Sequence, residues 1–479
     1  MNKQVSVKKN AMLNMIKQAC SVVFPLITFP YVSRVLGAES FGKVNFANSI
    51  IQYFALFAGL GISTYAVREG ARVRDDKEKI EKLVNELFSI NVCTATASLV
   101  VLVLLVIFWP KLHSYVPLMF IEAQIIVLTT CGSDWINSIY EDFQYITIRY
   151  IVLQSAAIIP LFLFVRTPHD YIIYALIIVL AGYGGNLFNI YYIRRYVNRK
   201  FTLHCNWKKH ITPILVLFST AVAVKIYLNS DITMLGILST EKQTGIYSAT
   251  SRIYQMVKEL INAITIVMVP RISNMLQNRE EEQYEHLSNS TLNILVSLIM
   301  PLTVGLIVLR TPILYIVCGK EYLSGSNTLM ILSLALPLGV LSCFYCNAIL
   351  IPNREEKFYL ISTSIAAIVN IALNMAFIPL FGISGAAITT LIAELIVFLM
   401  SRVRCRKLLK INFKKKNLLS VFVGCIVELV YCMLIIRGAS NNYIIQTILC
   451  VLGSIPLYFM VLKVFHNESL QELMSVRKK

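Results

Sequence analysis

The polar positions of this chain are gathered into short breaks between long apolar runs. About fourteen runs fit, over 11–36, 40–65, 86–109, 116–138, 145–166, 170–192, 211–230, 243–274, 288–310, 324–351, 356–380, 383–402, 417–437 and 442–465. Most match or exceed the roughly 20 apolar residues of helix that cross a hydrocarbon core of about 30 Å. A bilayer offers the backbone no water, so a spanning segment must be a helix or part of a closed barrel. Unbroken runs, as opposed to short alternating ones, predict helices. The pattern therefore predicts an all-α polytopic membrane protein of about 14 transmembrane helices. Prolines 25, 30, 160, 270, 301, 337 and 456 fall inside runs, where they mark either kinks or irregular packing.

The pattern also repeats. Residues 36–50, LGAESFGKVNFANSI, are echoed by 238–253, LSTEKQTGIYSATSRI, with Gly42 matching Gly245, Asn45 matching Ser248 and Ala47 matching Thr250. Each stretch leaves one run, crosses a short connection and enters a helix rich in small residues. Such an offset predicts a parallel repeat. The expected organisation is a six-helix lobe over 1–210 and a second over 211–410, around a central cavity, with two more helices and a tail over 411–479.

Composition agrees with this picture: 57% of the 479 residues are hydrophobic and 15% charged. The net charge of +18 raises the question of nucleic acid. Its placement answers it. With the N-terminus started in the cytoplasm, 31 Lys and Arg fall in inner connections and ends and 6 in outer ones. That is the positive-inside bias, and it predicts both termini in the cytoplasm and no nucleic-acid partner. No cleavable signal sequence is expected, because no small-residue cleavage site follows a short apolar core. Residues 68–86 and 401–417 predict short cytoplasmic amphipathic elements.

Charges inside the runs are the candidates for function. One near mid-membrane costs about 2.5–3.5 kcal/mol on insertion scales. Arg252 and Lys258 lie roughly 14 and 23 Å along the eighth run at 1.5 Å per residue. Arg252, Gln255, Glu259 and Asn262 share one helical face, with Lys258 about 120° away. A polar stripe of this kind must face protein or water. One outcome is internal ion pairing with an acid on a neighbouring helix. The other is a cationic cavity for an anionic ligand, to which phosphate is well suited. Lys17, Arg34 and Lys43 are lesser members of the cationic set. Asp231, Glu259, Asp134 and Glu394 are candidates for ion coupling or charge pairing.

Other chemistry is scarce. There is no phosphate-loop motif. The six histidines have no metal-ligand spacing, and no catalytic or metal set is expected. Cys343-Phe-Tyr-Cys346 stands alone in an apolar run and reads as buried packing. No cofactor is expected, beyond an H+ or Na+ gradient as a driving force.

Residues 24–54, FPLITFPYVSRVLGAESFGKVNFANSIIQYF, followed by LGISTYAVREGARVRDD, resemble the opening of bacterial Wzx-type oligosaccharide flippases. Asp134-Trp135, Glu141-Asp142-Phe143 and Arg149 resemble the junction of that family's fourth and fifth spans, and 245–273 resembles its eighth. Asn370, Asn374, Pro379, Gly382, Gly385-Ala386-Ala387, Thr390 and Glu394 match the wider superfamily of multidrug, oligosaccharidyl-lipid and polysaccharide exporters. One departure is Ile139-Tyr140 before Glu141, where relatives often carry a glycine.

The resemblance implies a two-lobed bundle with alternating access in the bacterial cytoplasmic (inner) membrane. Its cargo would be an undecaprenyl-diphosphate-linked repeat unit of capsule, O-antigen or a related glycan. Membrane lipid, a polysaccharide polymerase and other assembly proteins would be its partners. An ion-coupled multidrug exporter would want acids dominating its cavity. A membrane polymerase or glycosyltransferase would want a sizeable loop for its catalytic groups, and the loops here are short. The expectation is therefore a transporter and not an enzyme.

Overall fold

The computed structural model describes residues 7–203, 205–411, 414–438 and 442–468, so the first six residues and the basic tail lie outside it. Its contacts divide the chain into two compact units, Met1–Gly236 and Ile237–Lys479. Among the described residues all regular structure is helical, and thirteen helical segments are long and apolar enough to cross a membrane.

In the first unit the helices are α1 (Val7–Gly59), α2 (Ile62–Val73), α3 (Lys77–Phe108), α4 (Val116–Gly132), α5 (Trp135–Ile139), α6 (Phe143–Phe164), α7 (Tyr171–Tyr183), α8 (Gly185–Tyr192) and α9 (Trp207–Leu238). Helix α1 merges the first two predicted runs. It is broken at Gly37, whose φ of 69° and ψ of 173° are not helical. That conformation is open essentially to glycine alone. Pro25 and Pro30 lie within the helix without ending it. The break divides α1 into two pieces that are each long enough to span, and the thirteen apolar segments thus hold the fourteen expected passes.

The stretch 68–86 is not a free amphipathic element. It is split between α2 and the start of α3, where the Asp76 side chain accepts from Lys79 N at 3.1 Å and caps the new helix. The core of this unit has two parts. Phe46, Ile50, Ile51, Leu112, Met119, Ile125 and Val179 join α1, α4 and α7. Ile62, Ile80, Leu87, Trp135, Ile136, Ile193 and Ile214 join α2, α3, α5 and the start of α9.

In the second unit the helices are α10 (Glu241–Gln277), α11 (Glu281–Val308), α12 (Arg310–Val317), α13 (Ser326–Phe344), α14 (Glu356–Phe381), α15 (Ile383–Cys405), α16 (Lys415–Gly438) and α17 (Tyr443–Val464). Thr240 caps α10 by accepting from Gln243 N at 3.3 Å. Helix α13 runs into a π-helical turn at Tyr345–Leu350, a feature frequent at functional sites. This turn carries Cys346, which is buried with its Sγ 3.3 Å from Ser401 Oγ, so the Cys-x-x-Cys pair is packing as expected. Helix α15 packs on α13 and α14, and the pair α16 and α17 packs on α11.

Large apolar side chains cover the outside of both units. Phe108, Phe120, Phe188, Ile368 and Leu380 are all exposed. A water-soluble protein rarely shows so much apolar surface, and a lipid-facing one must.

Candidate functional site

Helix α10 carries the polar stripe read from the sequence. Lys258 on it forms an ion pair with Glu394 of α15, whose side chain is only 4% exposed. The Tyr254 hydroxyl, one turn before, donates to the same Glu394 oxygen at 3.0 Å. A Cβ at Gly339 of α13 would lie 2.7 Å from Lys258 Nζ, so this glycine leaves the space the ammonium occupies. Three helices thus enclose one ion pair. The pairing alternative holds for Lys258.

Arg252 differs. It is half-buried one and two-thirds turns earlier, and among the described residues it makes no ion pair. Gln255 reaches Ser251 Oγ at 3.4 Å, Glu259 is exposed, and Asn262 has a buried, unpartnered Oδ1. The stripe therefore runs from an unpaired guanidinium to an exposed carboxylate. Behind it the Tyr247 hydroxyl and Thr390 Oγ1 stand 3.1 Å apart. Thr389 donates to Asn374 at 2.6 Å, Asn374 to Asn370 at 3.1 Å and Asn370 back to Thr389 at 3.4 Å, closing a buried polar ring between α14 and α15.

The first unit has its own polar interior. Asn48 of α1 donates to Glu122 Oε2 at 2.8 Å, and Glu122 is 1% exposed. One turn along, Gln52 accepts from Lys225 Nζ of α9 at 2.7 Å. Two amides on one helix therefore bond a buried acid and a half-buried base. Thr233 of α9 also donates to Ser49 at 2.9 Å, and Asp231 is buried nearby on α9. Asp231 and Arg252 belong to different units.

The remaining candidates are spread out. Asp134 accepts from Arg149 Nη2 at 2.6 and 2.8 Å and from Asn189 at 3.0 Å, so it is a pairing residue. Lys43 pairs with Glu39 at 3.1 Å and lies 5.9 Å from the centre of the Tyr171 ring. Lys17 sits 5.6 Å from the Tyr150 ring centre, and Arg34 is exposed. The junction at 139–142 is also resolved. Glu141 adopts a φ of 56°, and Arg74 holds it there with a 2.8 Å bond to its carboxylate. This is the left-handed region that favours glycine. Glu141 falls one residue past the Ile139-Tyr140 departure, where Tyr140 itself has an ordinary φ of −89°. Ile139 meanwhile packs on Gly70, where a Cβ would come within 2.4 Å of its Cδ1.

Two clusters escaped the sequence reading. One is Asn48–Glu122, since a single Glu in an apolar run gives no partner. The other is His210, fully buried between Glu86 Oε2 at 2.8 Å and the Tyr65 hydroxyl at 3.0 Å. Three helices distant in sequence, α2, α3 and α9, supply those groups, and no spacing rule links them.

A helical bundle with charged groups paired or hydrogen-bonded inside each unit, and apolar residues outside, defines a polytopic helical membrane protein. The chain belongs to the polysaccharide biosynthesis protein family, whose model matches residues 7–276. It sits with the polysaccharide exporters of the superfamily named above and is a transporter, not an enzyme. It is 26% identical over 426 residues to a putative O-antigen transporter of Escherichia coli (strain K12), covering 85% of this chain and 99% of that protein. It is 26% identical over 163 residues to a probable low-salt glycan biosynthesis flippase of Haloferax volcanii, covering 33% and 34% of the two chains. In fold it resembles the lipid II flippase MurJ in an inward closed conformation, with a TM-score of 0.76, 19% identity, and 95% and 99% of the two chains covered.

Proposed function

We propose that this chain moves an undecaprenyl-diphosphate-linked oligosaccharide across the bacterial cytoplasmic membrane. The unit serves capsule, O-antigen or related surface glycan assembly, with both termini in the cytoplasm. The observation that carries the reading is Arg252. It is a membrane-depth guanidinium with no ion pair among the described residues, on the same helix as a lysine already neutralised by Glu394. An uncompensated cation at that depth is expensive and marks a site for an anion. A diphosphate offers the bidentate oxygens that arginine binds best.

The lipid tail stays in the bilayer while the head group crosses, and an H+ or Na+ gradient drives alternating access. Relatives named as a putative O-antigen transporter and a probable glycan biosynthesis flippase support the class of cargo. A deletion strain tests the proposal. Loss of surface polysaccharide with accumulation of the lipid-linked unit inside supports it. Loss of the unit itself assigns the chain to synthesis and overturns it.

A further inference from the structure

One carboxylate in the second unit has no partner. Glu428 lies midway along α16, about 20 Å from Lys415 at 1.5 Å per residue. It is 6% exposed, and its Oε2 is buried with no hydrogen bond among the described residues. It lines a cavity of about 330 Å³ formed mainly by α11, α16 and α17. The rest of the wall is nearly all apolar, with Leu302, Leu306 and Ile455 among it and the rings of Tyr458 and Phe459. The Tyr458 hydroxyl donates to Ser297 O at 2.6 Å, so its bond is already committed away from Glu428.

We infer that this groove is a binding site for a lipophilic monovalent amine, with Glu428 as its counter-ion. A buried polar atom left unpaired is costly, and a lone buried acid must either keep its proton or gain a cationic partner. An acyl chain would fill the apolar wall and leave Oε2 as it is. A protonated amine on an apolar body satisfies both. Its N–H donates to the carboxylate, its charge is neutralised, and aromatic faces attract a cation within about 6 Å. The volume lies at the lower end of drug-sized pockets, about 300–1,000 Å³. The depth of Glu428 excludes the polar head group of a bilayer lipid as the occupant. The lining shares no residue with the Arg252 stripe, although Val257 of the same helix touches it, and its one charged group is an acid, so we treat it as a second binding activity.

The test uses the full chain in lipid nanodiscs, with rhodamine 6G as the cationic probe and empty discs as the blank. Saturable binding is expected, weakened at least tenfold in Glu428→Gln. Dodecylamine should displace the probe and dodecanol should not. Gly305→Leu keeps the carboxylate but adds a side chain beside it, since a Cβ there already lies 3.4 Å from Glu428 Oε1. It should abolish binding even if Glu428→Gln folds poorly. Affinity unchanged from the wild type in both variants, equal displacement by dodecanol, or no saturation above the blank overturns the inference. Glycan export is read separately by complementation of the deletion strain, so failure here leaves the flippase reading standing.

Discussion

Lys258 of α10 and Glu394 of α15 neutralise one another inside the second unit, with Tyr254 donating to the same carboxylate. Removing one member leaves a buried charge without its counter-ion. Breaking such a pair costs about 3–5 kcal/mol, whereas replacing both members with apolar residues is often neutral. Glu394→Ala and Lys258→Ala should each lower the melting temperature of the purified protein in detergent, and the double change Lys258→Met with Glu394→Leu should recover most of it. If the double variant is as unstable as either single one, the pair is not what holds these helices.

Arg252→Ala should insert normally and lose export. A charge-assisted hydrogen bond is worth about 1.5–3 kcal/mol, or about 10- to 100-fold in transport. Arg252→Lys keeps the charge but not the fork, and should fall between. Surface-glycan complementation with a quantified membrane fraction checks this. Full complementation by Arg252→Ala would remove the cationic-cavity idea.

Gly37→Ala tests the break in α1. The φ of 69° and ψ of 173° lie in a region that costs non-glycine residues about 1–3 kcal/mol. The expected result is a lower melting temperature or a lower yield of folded protein. Pro25→Ala, within the intact part of the same helix, should change stability less.

His210→Ala should destabilise the first unit by about 2–4 kcal/mol, because both Glu86 and Tyr65 lose a buried partner at 2.8 and 3.0 Å. His210→Gln keeps part of that hydrogen bonding and should recover part of the loss in a thermal unfolding experiment. No difference between the two variants would show that the hydrogen bonds are not what matters there.

In the first unit, Arg149→Ala strips Asp134 of its bonds at 2.6 and 2.8 Å. Asp134 keeps Asn189 and is 40% exposed, so the loss is discounted to about 1–2 kcal/mol. Hydrogen exchange at α5 and the start of α6 should rise in that variant while the Phe46 cluster stays protected.

The helical, membrane-spanning character of this chain was legible in its sequence, because apolar length alone satisfies the bilayer's demand on the backbone. The polar stripe on α10 was legible for the same local reason, since helical period places Arg252 and Glu259 on one face. The 139–142 junction shows the limit of local reading. Glu141 takes a φ of 56° there, and its carboxylate accepts from Arg74, more than sixty residues away, a partner that no local pattern supplies.

What only the tertiary structure decided is which charges are spent and which remain. Lys258 and Arg252 look alike along the chain, yet a glycine on α13 and an acid on α15 converge on one of them. Glu122 and His210 gave no sequence signal, because an isolated ionisable residue is read by its neighbours and these come from other helices. Period and hydropathy are properties of one segment. Electrostatic compensation is a property of several segments packed together, and here it pairs Lys258 while leaving Arg252 without an ion pair and Glu428 without a hydrogen bond among the described residues.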